Sequence, residues 1–253
     1  MRAYANHICS DDWLSGIMPF PVYAVRVDKE FVAHVENAKT ATYKRWKALR
    51  SGAAFLYAKI PVAEVTHAHF LENSGFRIID TNLVFEKALP SVSQPYSENC
   101  RVRFAGPEDE PGSVELARRS FTFSRFHLDR SFPKELGDTI KGEWVRSYFL
   151  GKRGEAMIIA SRDGAIVGFL QLLKGSDGRL TVDLMAVDGP HRRQGIARDM
   201  ILFAEGSFPA CSTFMAGTQI ANLPSIRLYE KLGFTVARAE YIFHHHNDSM
   251  GNR

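Results

Sequence analysis

Cysteine is scarce in this chain: Cys9, Cys100 and Cys211 are the only three in 253 residues. An odd number at wide spacing excludes a disulfide framework and a cysteine-ligated metal site. Long apolar runs are missing too. Ala165-Ile166-Val167-Gly168-Phe169-Leu170 is among the longest, far short of the roughly 20 residues that span a bilayer. The opening residues, MRAYANHICSDDW, turn acidic where a secretory signal needs an apolar core. A reducing cytoplasm is the expected compartment, with no membrane partner. Blocks of like charge are also absent. Lys plus Arg number 32 against 28 Asp plus Glu, a net charge of +4. No basic run is interleaved with aromatics, so nucleic acid is not an expected partner. The mild basic excess suits an anionic small ligand such as a nucleotide diphosphate, and equally an ordinary soluble surface.

What is present is an alternation of strand and helix patterns. Val22–Val27 reads as a strand and Glu30–Arg50 as one helix, free of Pro and Gly. Residues 55–60 form a strand stopped by Pro61, 62–76 a helix closed by Gly75, and 77–89 another strand. Residues 90–99, PSVSQPYSEN, have no periodicity and read as a linker. The expected organisation is a smaller domain over 1–92, a linker at 93–100, a main domain over 101–246 and a tail at 247–253. The main domain reads β-α-α-β-β-β-α-β-α-β, with hairpin turns at Asp163-Gly164 and Ser176-Asp177-Gly178. Residues 59–87 also align without a gap to 217–245. Glu72/Glu230, Gly75/Gly233, Phe76/Phe234 and Phe85/Phe243 are identical, which suggests a duplicated fold with a truncated first copy.

The segment LTVDLMAVDGPHRRQGIARDMI (180–201) carries the chemistry. A strand ends at Val187, Gly189-Pro190 turns the chain, and Arg192-Arg193-Gln194-Gly195-Ile196-Ala197 opens a helix. Small residues at 195 and 197 leave backbone N–H groups uncovered. A helix start offers four such donors and about half a positive charge, a natural pyrophosphate site.

Strand, turn, Arg-x-x-Gly-x-Ala, helix, then strand, Asn222, and a helix with Tyr229 before Gly233-Phe234: this combination resembles the GNAT acetyltransferase superfamily. The resemblance implies an α/β (α+β) acyl-CoA N-acyltransferase fold. A mixed central sheet would be flanked by helices and preceded by a truncated GNAT-like domain. It also implies acetyl-CoA as cosubstrate. Met185, Ala186 and Val187 would hold pantetheine, and Arg192, Arg193, Gln194, Gly195, Ile196 and Ala197 the diphosphate. Asn222 would touch the cofactor arm and Tyr229 the region of the sulfur. Residues 121–126 (FTFSRF), Asp129, EWVRSYFLGKRG (143–154) and Thr218-Gln219 are similar to nucleotide-sugar amine acetyltransferases, typified by dTDP-fucosamine (dTDP-4-amino-4,6-dideoxygalactose) acetyltransferase. The loop between Val187 and Arg192 is longer than in that subfamily, which leaves the acceptor sugar open.

The expected reaction joins acetyl to a primary amine by direct attack in a ternary complex, with Tyr229 as general acid. Asp183 is the candidate base, on the strand face expected to carry Met185 and Val187. Many superfamily members have a Glu base where this chain has Thr181, so a water relay stands beside it. Ser124, Arg125, His127, Asp129 and Gln219 are candidate acceptor-binding residues, and Arg125 and Arg130 could pair with an acceptor diphosphate. His127 and Asp129 read more simply as solvated loop residues. His244-His245-His246 reads as a strand end followed by a frayed tail, and no metal is expected. Two rivals remain open: the same chemistry on a protein or polyamine, and a non-catalytic acyl-CoA-binding module. The oligomeric state, a homodimer among the options, is open as well.

Overall fold

The computed structural model describes residues 7–89 and 100–247. The expected linker lies outside them except for Cys100, as does the expected tail beyond Asn247. Packing divides the chain into two units, each gathered from more than one stretch of sequence. Among the described residues, the first unit gathers 7–82, 128–132 and 239–247, and the second 83–89, 100–127 and 133–238.

The first unit opens with β1 (Ile8–Ser10), α1 (Asp12–Ser15), β2 (Val22–Val25), α2 (Lys29–Glu36), α3 (Ala41–Ser51), β3 (Phe55–Pro61) and α4 (Val65–Asn73). The start of β4 (Arg77–Ala88) follows. The single helix expected over 30–50 is two helices. Asn37 takes an extended backbone and its side chain accepts from Lys39 N at 3.1 Å. Thr40 then caps α3, accepting from Tyr43 N at 3.0 Å and donating to the His34 carbonyl. Two short polar side chains thus satisfy the backbone locally and break the helix without Pro or Gly. Trp46 fills the core between Phe76, stacked at 5.5 Å, and Phe31, edge-on at 5.3 Å. The sheet order is β1-β2-β3-β10, where β10 is the last strand (Thr235–His245). β2 and β3 are parallel, while residues 240–245 of β10 run antiparallel to β3.

The second unit contains β5 (Arg101–Phe104), α5 (Glu110–Ser120), α6 (Arg125–Leu128, of which Leu128 falls in the first unit), α7 (Lys134–Phe149), β6 (Ala156–Arg162), β7 (Ala165–Lys174), β8 (Arg179–Val187), α8 (Ile196–Ser207), β9 (Thr213–Gln219) and α9 (Leu223–Lys231). β5 to β8 are antiparallel neighbours in sequence order, and β9 joins β8 in parallel. The β6–β7 turn has positive φ at Asp163 (+51°) and Gly164 (+80°), as a two-residue hairpin demands. One sheet face packs Leu170, Leu172, Leu180 and Val182 against Met200 and Ala204 of α8 and against Phe214. The other packs Met157, Ile159 and Phe169 against Leu116 of α5 and Val145 of α7. At about 1.5–3 kcal/mol per buried aliphatic or aromatic side chain, these two layers hold β8 between them.

Candidate active site

β8 does not keep its pleat. Opposite β7, Met185 pairs with Leu170, Leu184 with Gln171 and Val182 with Leu172, so Asp183 is one residue too many. This bulge resets the alternation. Leu180 and Val182 face the α8 layer, whereas Leu184 and Ala186 face the α5–α7 layer. Asp183 points to the α7 side as well. The expectation that it shares a face with Met185 and Val187 is overturned, since those two pack on the α8 layer. Its carboxylate accepts from Trp144 Nε1 at 2.8 Å, Gln171 Nε2 at 3.0 Å, and Arg153 through both Nε (2.6 Å) and Nη2. Four N–H donors thus occupy both oxygens of this buried carboxylate.

Beside this bulge the sheet opens. β8 and β9 pair from Arg179–Thr213 to Val182–Ala216, and the described register goes no further. From Asp183 to Val187, β8 is laddered to β7 on one side, leaving backbone groups of the other edge for an extended ligand to pair with.

The loop that follows is built by its own side chains. Asp188 caps the turn at Gly189-Pro190-His191 and is ion-paired to Arg119 at 3.2 Å. Arg192 donates to the carbonyls of Val187 (3.0 Å) and Ser120 (3.1 Å), so it fastens the loop rather than reaching outward. Gln194 bridges Arg162 and the Pro190 carbonyl. Arg193 and Gly195 both have positive φ, +63° and +85°. Residues 192–195 are exposed, and Gly195 caps α8 with no side chain over its amides. A Cβ at 195 would meet nothing nearer than Asp199 Oδ2 at 4.0 Å, so the turn is uncovered. Ile196 is buried beneath it and Ala197 partly so.

Further on, Asn222 caps α9, accepting from Ser225 N and donating to Thr218 Oγ1 at 3.0 Å. Gln219 ends β9, half-buried. Tyr229 is buried, packed on Phe85 and Phe234 with ring centroids 5.5 Å away in each case. Burial pushes its phenol far up from the ordinary range.

On the α7 side, Ser124 Oγ lies 2.6 Å from His127 Nδ1, and His127 Nε2 lies 3.0 Å from Asp138. The His127 side chain is 5% exposed, not solvated as its loop setting suggested, and burial lowers its pKa. Arg125 stacks on Phe126. Lys141, unforeseen from the sequence, is buried against the rings of Phe121 (5.0 Å) and Trp144 (4.7 Å). Burial, reinforced by the charge of Arg125, brings its amine down to about 8. Asp129, expected with this group, belongs to the first unit, where it is buried beside His244 and His246. Arg130 is exposed, also in the first unit.

Residues 117–234, which hold the opened sheet and the uncovered helix start, match the model of the Acetyltransferase (GNAT) family. This segment is a GNAT-family domain. Its curated relatives include the spore coat polysaccharide biosynthesis protein SpsD of Bacillus subtilis, 30% identical over 192 residues. That match covers 75% of this chain and 66% of SpsD, just under two thirds of the relative. N-alpha-acetyltransferase 30 of Homo sapiens is 28% identical over 160 residues, 56% of this chain and 42% of that protein. A solved GCN5-related N-acetyltransferase from Sphaerobacter thermophilus shares the fold with a TM-score of 0.60 at 15% identity. It covers 94% of this chain and 74% of that one.

Met185–Val187, the 192–197 loop, Asn222, Tyr229, Ser124, Arg125, His127 and Gln219 all lie in the second unit. Sequence reasoning missed Lys141, Trp144 and Arg153. Trp144 and Arg153 lay in a segment noticed only for its family likeness, and no spacing rule pairs them with Asp183.

Proposed function

We propose that the chain is an acetyl-CoA-dependent N-acetyltransferase acting on a primary amine, carried by a nucleotide-linked 4-amino-4,6-dideoxy sugar destined for surface polysaccharide. The observation that carries this reading is the one-sided ladder of β8 at 183–187, followed by the uncovered turn at Gly195. Together they fit an extended pantetheine arm and a diphosphate. When bound, acetyl-CoA supplies the activated acyl group. Met185 to Val187 align it, and the amides of Gly195 to Ala197 receive its phosphates. Tyr229 stays protonated through the physiological range and donates the proton that the departing thiolate takes up as the C–S bond breaks and the C–N bond forms. The amine loses its proton to water, because Asp183 is committed to Arg153, Trp144 and Gln171.

Support for the acceptor comes from the α7 side. Arg125, Lys141 and Arg153 are cations among the aromatics Phe121, Trp144 and Phe126, a setting for an anionic, flat-faced nucleotide rather than a cationic polyamine. The relative named for polysaccharide biosynthesis supports the same class. The N-alpha-acetyltransferase relative favours a second reading, a peptide N-terminus. The buried thiols of Cys100 and Cys211 fit a reducing, cytoplasmic setting.

A thiol-release assay over a panel of nucleotide amino sugars, peptides and polyamines tests this. Turnover confined to nucleotide-linked amines is expected. Turnover confined to peptides transfers the activity to the second reading, and none with any amine overturns both.

A further inference from the structure

The first unit holds a cluster that the acetyl-transfer reading does not use. We propose that Asp129, His244 and His246 form a site for one divalent transition-metal ion of the zinc class. The donor set is two imidazole nitrogens and one carboxylate, which suits zinc or cobalt better than the oxygen-seeking calcium or magnesium. Their ligand atoms lie within 4.8 Å of one another. His244 Nδ1 and His246 Nε2 each stand 2.6 Å from the same atom, Asp129 Oδ2. Around an ion at about 2.0–2.1 Å from each donor, neighbouring donors would stand about 3.3 Å apart, so each ring nitrogen needs to draw back from Oδ2 by about 0.7 Å.

The frame already aims these groups. Alternation puts His244 and His246 on one side of the chain while His245 turns away towards Phe76. His244 is fixed in register opposite Tyr57 of β3. Ser131 N donates to Asp129 Oδ1 at 3.0 Å, orienting the carboxylate so that Oδ2 faces the rings. Phe55 and Phe132 wall the site, 4.7 Å from His244 and 4.7 Å from His246 respectively. Side-chain exposures are 0% for His244, 3% for Asp129 and 18% for His246, so a remaining coordination position would open on the His246 side. On binding, each ring presents its lone pair in place of its N–H, and the proton moves to the other ring nitrogen.

The test uses the full chain stripped with chelator and dialysed. Titration with Zn²⁺ by calorimetry and with Co²⁺ by visible absorption should show one equivalent, saturable in the micromolar range or tighter, with cobalt bands of low coordination number. His246→Gln and Asp129→Asn should each weaken binding by more than about 100-fold, beyond the roughly 10–100-fold typical of an outer-shell change, and His245→Ala should leave it intact. Circular dichroism confirms that each variant is folded. No saturable binding up to millimolar zinc in the unmodified chain overturns the proposal without recourse to any variant. Binding that survives both ligand substitutions overturns it equally, and leaves the three side chains as a hydrogen-bonded clamp alone.

Discussion

Trp144 Nε1 donates to Asp183 Oδ2 at 2.8 Å, beside the bulge in β8. Alternation from Leu180 and Val182 puts Asp183 on the α7 side, and the bulge then turns Met185 and Val187 to the opposite face, so that Asp183 is left to hold Trp144 and Arg153. Asp183→Asn should therefore raise KM for the acceptor amine more than tenfold while moving KM for acetyl-CoA less than threefold. If Asp183 were instead the proton acceptor, kcat would collapse with both KM values unchanged, which steady-state kinetics would reveal.

Lys141 presents a trade between stability and binding. Its folded pKa, about 8, lies below the ordinary 10.5. Below pH 8 the unfolded chain holds the proton more tightly than the folded one, so the residue costs stability there. The cost fades as pH rises from 8 to 10.5. Lys141→Met should stabilise the apoprotein at pH 7 by about 1–3 kcal/mol in urea melts, with little effect at pH 10.5, while weakening acceptor binding.

Tyr229→Phe should keep the fold and the KM for acetyl-CoA, because the ring packing on Phe85 and Phe234 remains. Turnover should fall by about 100-fold or more. Full turnover in this variant would remove the acid role.

Gly195→Val should do the reverse. A β-branched residue at φ +85° is strained and covers the amides of α8, so KM for acetyl-CoA should rise at least about tenfold. Product formation at saturating cosubstrate should change far less, and an unaltered KM would argue against the phosphate site.

Asp80, in the first unit, is buried with one carboxylate oxygen lacking a hydrogen-bond partner. Burial, only partly offset by the Thr81 N–H, pushes its pKa up to about 6. The folded state therefore binds a proton more tightly than the unfolded state, and stability falls as pH rises from about 4 to 6. Asp80→Asn should add about 1–3 kcal/mol at pH 7.5 and almost nothing at pH 4, read from chemical denaturation at both values.

Local chemistry was legible in the sequence. The Asp163-Gly164 hairpin turn, the strands β7 and β8 on either side of the next turn, and the uncovered start of α8 at Gly195 follow from side-chain type and short spacing. The break between α2 and α3 escaped because Asn37 and Thr40 are compatible with a helix until their side chains bond the backbone. The bulge at Asp183 escaped for a deeper reason. Register is a property of two strands, and nothing in LTVDLMAV marks which residue will be skipped. Asp129 with His244 and His246 escaped most completely. The partners lie 115 and 117 residues apart, so each looked like an isolated polar residue in a loop or at a fraying end.

β3 finds its antiparallel neighbour in residues 240–245, about 180 positions downstream. The early part of the chain cannot finish its sheet as it leaves the ribosome. Its unsatisfied edge at β3 must wait until the intervening second unit has been synthesised. In vivo maturation should then run from the middle of the polypeptide outward, with chaperones shielding the nascent amino-terminal third in the interval.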